Sequence, residues 1–204
     1  MLVDTSDKEI RTHDVNEPIL ITAGALIGTY DKSRVFLSYD SASIEVEALT
    51  RVAVDSMDST RLNIYTNWKE NTLYTIRLLK GFIKDTSLTE AMPSKHTFRT
   101  KNEDDYAKLQ INISSTYKGA EYLLQITKDK DTLYKQAVID TVVKLKRLNP
   151  GSYKIHLIID KNENGEWDTG SLLEKLQPEV VYPHKAEIAL KAGWENVEDF
   201  EPVL

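Results

Sequence analysis

Apolar side chains recur at every second position in short runs along most of the chain, and this period of two most restricts the fold. Ile44, Val46 and Ala48 alternate with Glu45 and Glu47, and Leu62 and Ile64 alternate with Arg61, Asn63 and Tyr65. Tyr153, Ile155, Leu157 and Ile159 alternate with Lys154 and His156, and Ile158 breaks the pattern. Ile19–Thr22, Val35–Tyr39, Val52–Val54, Thr72–Leu78 and His96–Thr100 are further strand-like runs. Polar turns separate them at intervals of about 8–12 residues, the spacing of an antiparallel β-sandwich. No run of convincing helical length is present. Leu79–Met92 alternates weakly and reads as a loop joining two late strands, with a short helical turn at Ser87–Met92.

Lys101-Asn102-Glu103-Asp104-Asp105 contains no apolar residue and marks a domain boundary, after which the alternation restarts. A chain of 204 residues divides there into two halves of common domain size. The expected fold is all-β: two tandem antiparallel β-sandwiches, Ig-like or transthyretin-like, over residues 1–102 and 103–204. In the second, strands are expected around Tyr106–Ile113, Tyr122–Ile126, Leu133–Ala137, Asp140–Leu145, Tyr153–Ile159, Val180–Tyr182 and Ala186–Leu190. Met1–Asn16 is polar and charged and is expected to be poorly ordered. Leu172–Lys175 suggests one helical turn.

Charge and composition narrow the function. The net charge is −6 with acidic and basic residues interspersed, which disfavours nucleic acid or an anionic membrane as partner. There is no cysteine, so no disulfide framework, zinc–thiolate site or cysteine nucleophile exists. No apolar run approaches the ~20 residues of a membrane span. Met1-Leu2-Val3 runs straight into Asp4, so no signal peptide is expected in this chain.

The clearest chemical signal follows the strand ending at Ile159. Asp160, Asn162 and Asn164 fall at alternate positions, then come Gly165 and Asp168, in the spacing D-x-N-x-N-G-x-x-D. Oxygen-bearing side chains at this spacing converge on a hard cation, and the glycine permits the sharp turn. The expected ligands to Ca²⁺ are Asp160, Asn162, Asn164 and Asp168 by side chain and Glu166 by its backbone carbonyl. The bidentate glutamate that closes such a loop is missing, because Ser171 stands in its place and the nearest later carboxylate is Glu174. Weak affinity follows, on the order of 10⁻⁴–10⁻³ M. The alternative is a plain hairpin turn at Asn164-Gly165.

The segments Leu148-Asn149-Pro150-Gly151-x-Tyr153, Asp160 to Gly170 and Gln177-Pro178-Glu179-x-Val181-Tyr182 also carry a resemblance. Together with Tyr74, Phe98-Arg99-Thr100 and Trp194, they resemble the C-terminal part of the Ig-like-domain surface lipoproteins of Bacteroidetes. The chain departs from that pattern at Gly193, where asparagine is expected before the tryptophan. The resemblance implies a β-sandwich closing a long extracytoplasmic protein, outer-membrane-associated or on the cell surface, with a signal and further modules preceding this chain. The resemblance gives architecture and location more than function; the function expected on this reading is a non-catalytic structural or interaction module whose partner is a protein or a glycan. The alternative is a carbohydrate-binding accessory module of a glycan-use system. Asp40-Ser41-Ala42, Asp55-Ser56-Met57, Asp131-Thr132-Leu133 and Asp140-Thr141-Val142 resemble the O-glycosylation acceptors of the same bacterial group, and equally suit ordinary turns.

Other motifs point away from catalysis. Asp168-Thr169-Gly170 matches the aspartic-protease tripeptide, but only one copy is present and no apolar strand leads directly into it. His13, His96, His156 and His184 are widely spaced, and no serine sits in a G-x-S-x-G elbow. The chain is therefore expected not to be an enzyme. Among the aromatic residues, Trp68 lies between Asn67 and Lys69 and is the candidate platform for stacking a sugar ring.

Overall fold

The structure is a computed structural model that describes residues 11–201 except 42, 43, 49, 172 and 174, with side chains left out at 41 and 44–47. It is all-β. Among the described residues there is no α-helix, only 3₁₀ turns at Lys32–Arg34, Glu103–Asp105 and Ser115–Tyr117. The chain divides into two compact units, Met1–Asn102 and Glu103–Leu204.

The first unit contains β1 (Arg11–His13), β2 (Ile19–Thr22), β3 (Ile27–Tyr30), β4 (Val35–Ser41), β5 (Ile44–Glu47), β6 (Arg51–Val54), β7 (Arg61–Tyr65), β8 (Leu73–Leu78), β9 (Ile83–Asp85) and β10 (Ser94–Thr100). One sheet has the order β1-β10-β8-β4-β5, a second β2-β7-β6, and β3 pairs with β9. The alternation explains the core. Leu37, Tyr74, Ile76, Leu78 and Phe98 from the first sheet meet Ile21, Val52, Leu62 and Ile64 from the second. This arrangement fits an Ig-like sandwich.

The second unit contains β11 (Ala107–Asn112), β12 (Gly119–Lys128), β13 (Asp131–Val138), β14 (Val142–Leu148), β15 (Gly151–Ile159), β16 (Val181–Pro183), β17 (Ile188–Leu190) and β18 (Glu195–Asp199). Its sheets are β14-β11-β18 and β13-β12-β15-β16, with β17 also pairing to β15. Leu109 and Ile111 from one sheet and Leu124, Ile126, Tyr153, Ile155 and Leu157 from the other form its core. The Tyr153 hydroxyl reaches back to the Asn149 carbonyl and ties the Asn149-Pro150-Gly151 turn to the strand it starts.

Three features depart from the sequence expectation. Among the described residues, the first and last strands of each unit pair in parallel, β1 with β10 and β11 with β18. Local alternation is blind to such end-to-end pairing. Arg11–His13 lies within the stretch expected to be poorly ordered, and His13 anchors it as a strand; residues 1–10 lie outside the described residues. Leu79–Met92 contains a strand, β9, and no helix, because Ile83 is buried in the core and the stretch pairs with Ile27–Tyr30. The turn expected at Leu172–Lys175 is only partly described, since residues 172 and 174 fall outside the described set.

Candidate functional site: the Asp160–Glu179 loop

β15 ends at Ile159, and Asp160 extends its pairing by donating its amide to the Glu121 carbonyl (2.8 Å). The Asp160 side chain then turns into the loop and is 1% exposed. Its two oxygens accept the amides of Asn164 (3.1 Å) and Gly165 (2.7 Å). The chain can wrap around this carboxylate because Glu163 and Gly165 take positive φ, 56° and 78°. Asn162 Oδ1 accepts the Asn164 amide, and Asn164 Oδ1 accepts the Glu166 amide. The side-chain amides of both asparagines donate to Asp168 Oδ2, at 2.7 and 3.2 Å. Asn164-Gly165 is therefore not a hairpin turn, because no paired strands flank it.

Glu179, a residue that the calcium-loop spacing does not include, closes the loop. It is 9% exposed. Its Oε1 accepts the Lys161 amide (2.8 Å) and its Oε2 the Asp168 amide (3.1 Å). Its own amide donates to the Asp168 carbonyl, and its carbonyl accepts the Trp167 indole N–H. One carboxylate thus joins the start, middle and end of a long loop by hydrogen bonds to an ion, the stronger class of hydrogen bond. Glu174, the nearer carboxylate in sequence, lies outside the described residues.

The loop crosses the outer face of its sheet. Glu166 forms an ion pair with Lys135 on β13, two strands away from β15. Between those strands, Leu123 and Ile158 are register partners on the face opposite the core, 3% and 2% exposed. A bare outer face would leave them in water. Ile158, the apolar residue that broke the alternation, therefore lies on the side of the sheet from which Glu166 reaches Lys135.

The expected cation ligands are thus brought into one loop, with oxygen chemistry suited to a hard cation. Asp160 and Asp168 keep lone pairs beyond those already used, since an ionised carboxylate offers about four acceptor sites. Glu166, expected as a ligand through its backbone carbonyl, has its side chain paired with Lys135. The asparagine oxygens engage backbone amides, and their NH₂ groups face Asp168. Each asparagine oxygen accepts one amide and, as a carbonyl oxygen, keeps a second lone pair. Among the described residues, no three acidic, imidazole or thiol groups form a metal-holding cluster.

The other candidates are dispersed. Trp68 is half-buried inside an aromatic cluster, edge-on to His13 (4.7 Å), Tyr74 (4.9 Å) and Phe98 (5.8 Å). Its indole N–H donates to the Glu17 carbonyl, which fixes it as a packing residue of the first unit. Trp167 and Trp194 are the more exposed indoles, at 46% and 61%. His13, His96 and His156 are held below the ordinary imidazole range by burial. Asp55 Oδ1 caps its own turn by accepting the Met57 amide, which suits the turn reading of Asp55-Ser56-Met57.

No protein-family model matches the chain, and no curated protein matches it. Among solved structures, the Bacillus anthracis TIE protein aligns with 98% of this chain and 41% of that one, at 8% identity and TM-score 0.31. The chain therefore spans less than half the length of that protein, and so low a score carries no argument here. No helix among the described residues is long and apolar enough to cross a membrane.

Proposed function

We propose that this chain is a non-catalytic structural and interaction module of an extracytoplasmic cell-surface protein, its second sandwich stiffened by the Asp160–Glu179 loop. The observation that carries the reading is the loop itself. Its carboxylates and amides are turned inward onto backbone groups, the work of a staple rather than of a reacting centre. The resemblance of Asp160–Gly170 and Gln177–Tyr182 to surface lipoproteins supports the location. The same oxygen-rich set supports Ca²⁺ as the ion that would reinforce the staple, with Asp160, Asn162, Asn164 and Asp168 as its side-chain ligands.

An antibody against residues 103–204, applied to intact and lysed cells producing the full-length gene product, tests the location. Labelling of intact cells is the expected result, and labelling only after lysis sinks the proposal. Reproducible turnover abolished by a single histidine or aspartate substitution would overturn the non-catalytic part.

The carbohydrate-binding alternative is favoured by a different residue from the one the sequence suggested. The Trp194 ring is exposed and has the Lys191 ammonium 5.2 Å from its centroid, so one apolar face sits beside a hydrogen-bond donor. Glycan-array binding lost in Trp194→Ala and kept in Trp68→Phe would favour that reading.

A further inference from the structure

The β14-β11-β18 sheet of the second unit has two open edges. Among the described residues, β14 and β18 each pair with β11 alone, so the far side of each strand meets no other strand. The two edges carry opposite charge. On the outer face β14 presents Val142, Lys144 and Lys146, and β18 presents Glu195, Val197 and Asp199, all exposed. No ion pair ties Lys144, Lys146 or Glu195 to another described residue. Lys108, the register partner of Glu195, pairs instead with Glu103 (3.6 Å), which also holds Arg147 (3.2 Å). Asp199 accepts the Asn112 side-chain amide (2.8 Å) and keeps further lone pairs.

β14 runs antiparallel to β11 and β18 parallel to it, so the two edges run in opposite directions. A second copy shifted sideways sets its β14 antiparallel beside β18, and the sheet continues with its usual twist. Gln110 is the register partner of both Lys144 and Val197, and Asn112 of both Val142 and Asp199. Continued across the boundary between copies, these rows put Lys144 opposite Val197, diagonal to Glu195 and Asp199, and Lys146 opposite Glu195. The register shift between Ala107 and Leu109 ends the regular part of β14 near Lys146, so Val142–Lys146 matches β18 in length. Charges on an edge strand normally keep other strands away. Here they sort the partners: like edges set lysine against lysine or carboxylate against carboxylate, and only unlike edges attract.

We propose that β14 and β18 form a self-association surface, on which the basic edge of one copy pairs with the acidic edge of the next. The contact is head-to-tail, so the series stays open and does not close as a twofold dimer. A second copy of this chain is thus a partner for the interaction module proposed above. The purified chain tests this pairing, and its failure leaves the location to be judged by cell labelling.

The experiment is sedimentation velocity of the whole chain over a concentration series. Species larger than the monomer are expected to grow with concentration in low salt and to shrink as salt is raised. Two double variants reverse one edge each: Lys144→Glu with Lys146→Glu, and Glu195→Lys with Asp199→Lys. Each alone is expected to associate at least about tenfold more weakly than wild type. An equimolar mixture is expected to recover association, because acidic and basic edges match again. A monomeric wild type overturns the proposal, as does association that persists in either variant or fails to return in the mixture. If a double variant does not fold, a cysteine pair decides, since the chain has no cysteine of its own. Lys146→Cys and Glu195→Cys chains, mixed under mild oxidation, are expected to give a disulfide-linked dimer that neither gives alone. A mixture with no more dimer than the separate chains overturns the edge pairing.

Discussion

Replacing Asp160 by alanine removes the acceptor around which the loop is wound. The residue is 1% exposed, and its carboxylate takes two amide hydrogens, at 3.1 and 2.7 Å. Hydrogen bonds to a charged group contribute about 1.5–3 kcal/mol each, and two that share one carboxylate are not fully additive, so the loss is about 3 kcal/mol. For a unit near 100 residues that lowers its melting temperature by about 12–24 °C. Asp160→Asn keeps one acceptor and sets an NH₂ against a backbone N–H, so it should fall between alanine and wild type. Calorimetry in chelator measures this part alone. Repeating the scan with calcium at 100 times Kd adds about 2.7 kcal/mol if the loop binds the ion. That increment should appear in the wild type and vanish in Asp160→Ala and Asp168→Ala, while Ser171→Ala keeps it. If Asp160→Ala melts within about 2 °C of wild type in chelator, the carboxylate does not organise the loop. If wild-type curves with and without calcium coincide, the cation proposal fails and the hydrogen-bonded loop stands by itself.

Residues 103–204 alone should give the far-UV spectrum of a β-protein and a cooperative melt, because their core is complete within the unit; a featureless melt would refute autonomous folding. Gly170→Ala should destabilise the second unit by about 1–3 kcal/mol in denaturant titration. Gly170 holds φ at +76°, and an added Cβ would lie 2.7 Å from both the Leu176 carbonyl oxygen and the Pro178 nitrogen. Leu62→Ala and Leu124→Ala each empty a fully buried site, one in each unit. Each should cost about 2–5 kcal/mol and shift only the transition of its own unit; a common shift would show that the units unfold as one.

The sandwich strands were legible because burial on one face writes a period of two into the sequence. Leu62 and Ile64 against Arg61 are sufficient to place β7. Pairing between distant strands was not legible, since Arg11 beside Phe98 and Leu109 beside Asn196 leave no local trace. Ile158 shows itself only as a break in the alternation, since burial on the outer side of the sheet depends on segments outside the strand. The site was half legible for the same reason. Asp160, Asn162, Asn164 and Gly165 bond to one another within a few residues, so their spacing announces them. Glu179 acts on Lys161 and Asp168 from far along the chain, and no short motif reaches that distance. The signal available was Gln177-Pro178-Glu179: a carboxylate following a proline that stops the loop just before the next strand. The consequence is testable independently of any ion. Glu179→Gln keeps one acceptor and turns the other into a donor facing an amide, costing about 1–3 kcal/mol. Glu179→Ala removes both acceptors, freeing the Lys161 and Asp168 amides and loosening the segment whose carbonyl holds the Trp167 indole. Tryptophan emission should therefore shift to the red in Glu179→Ala, and the shift should disappear in a Trp167→Phe background. An unshifted spectrum, together with unchanged amide exchange over residues 161–168, would mean that Glu179 is a passenger and that Asp160 alone sets the loop.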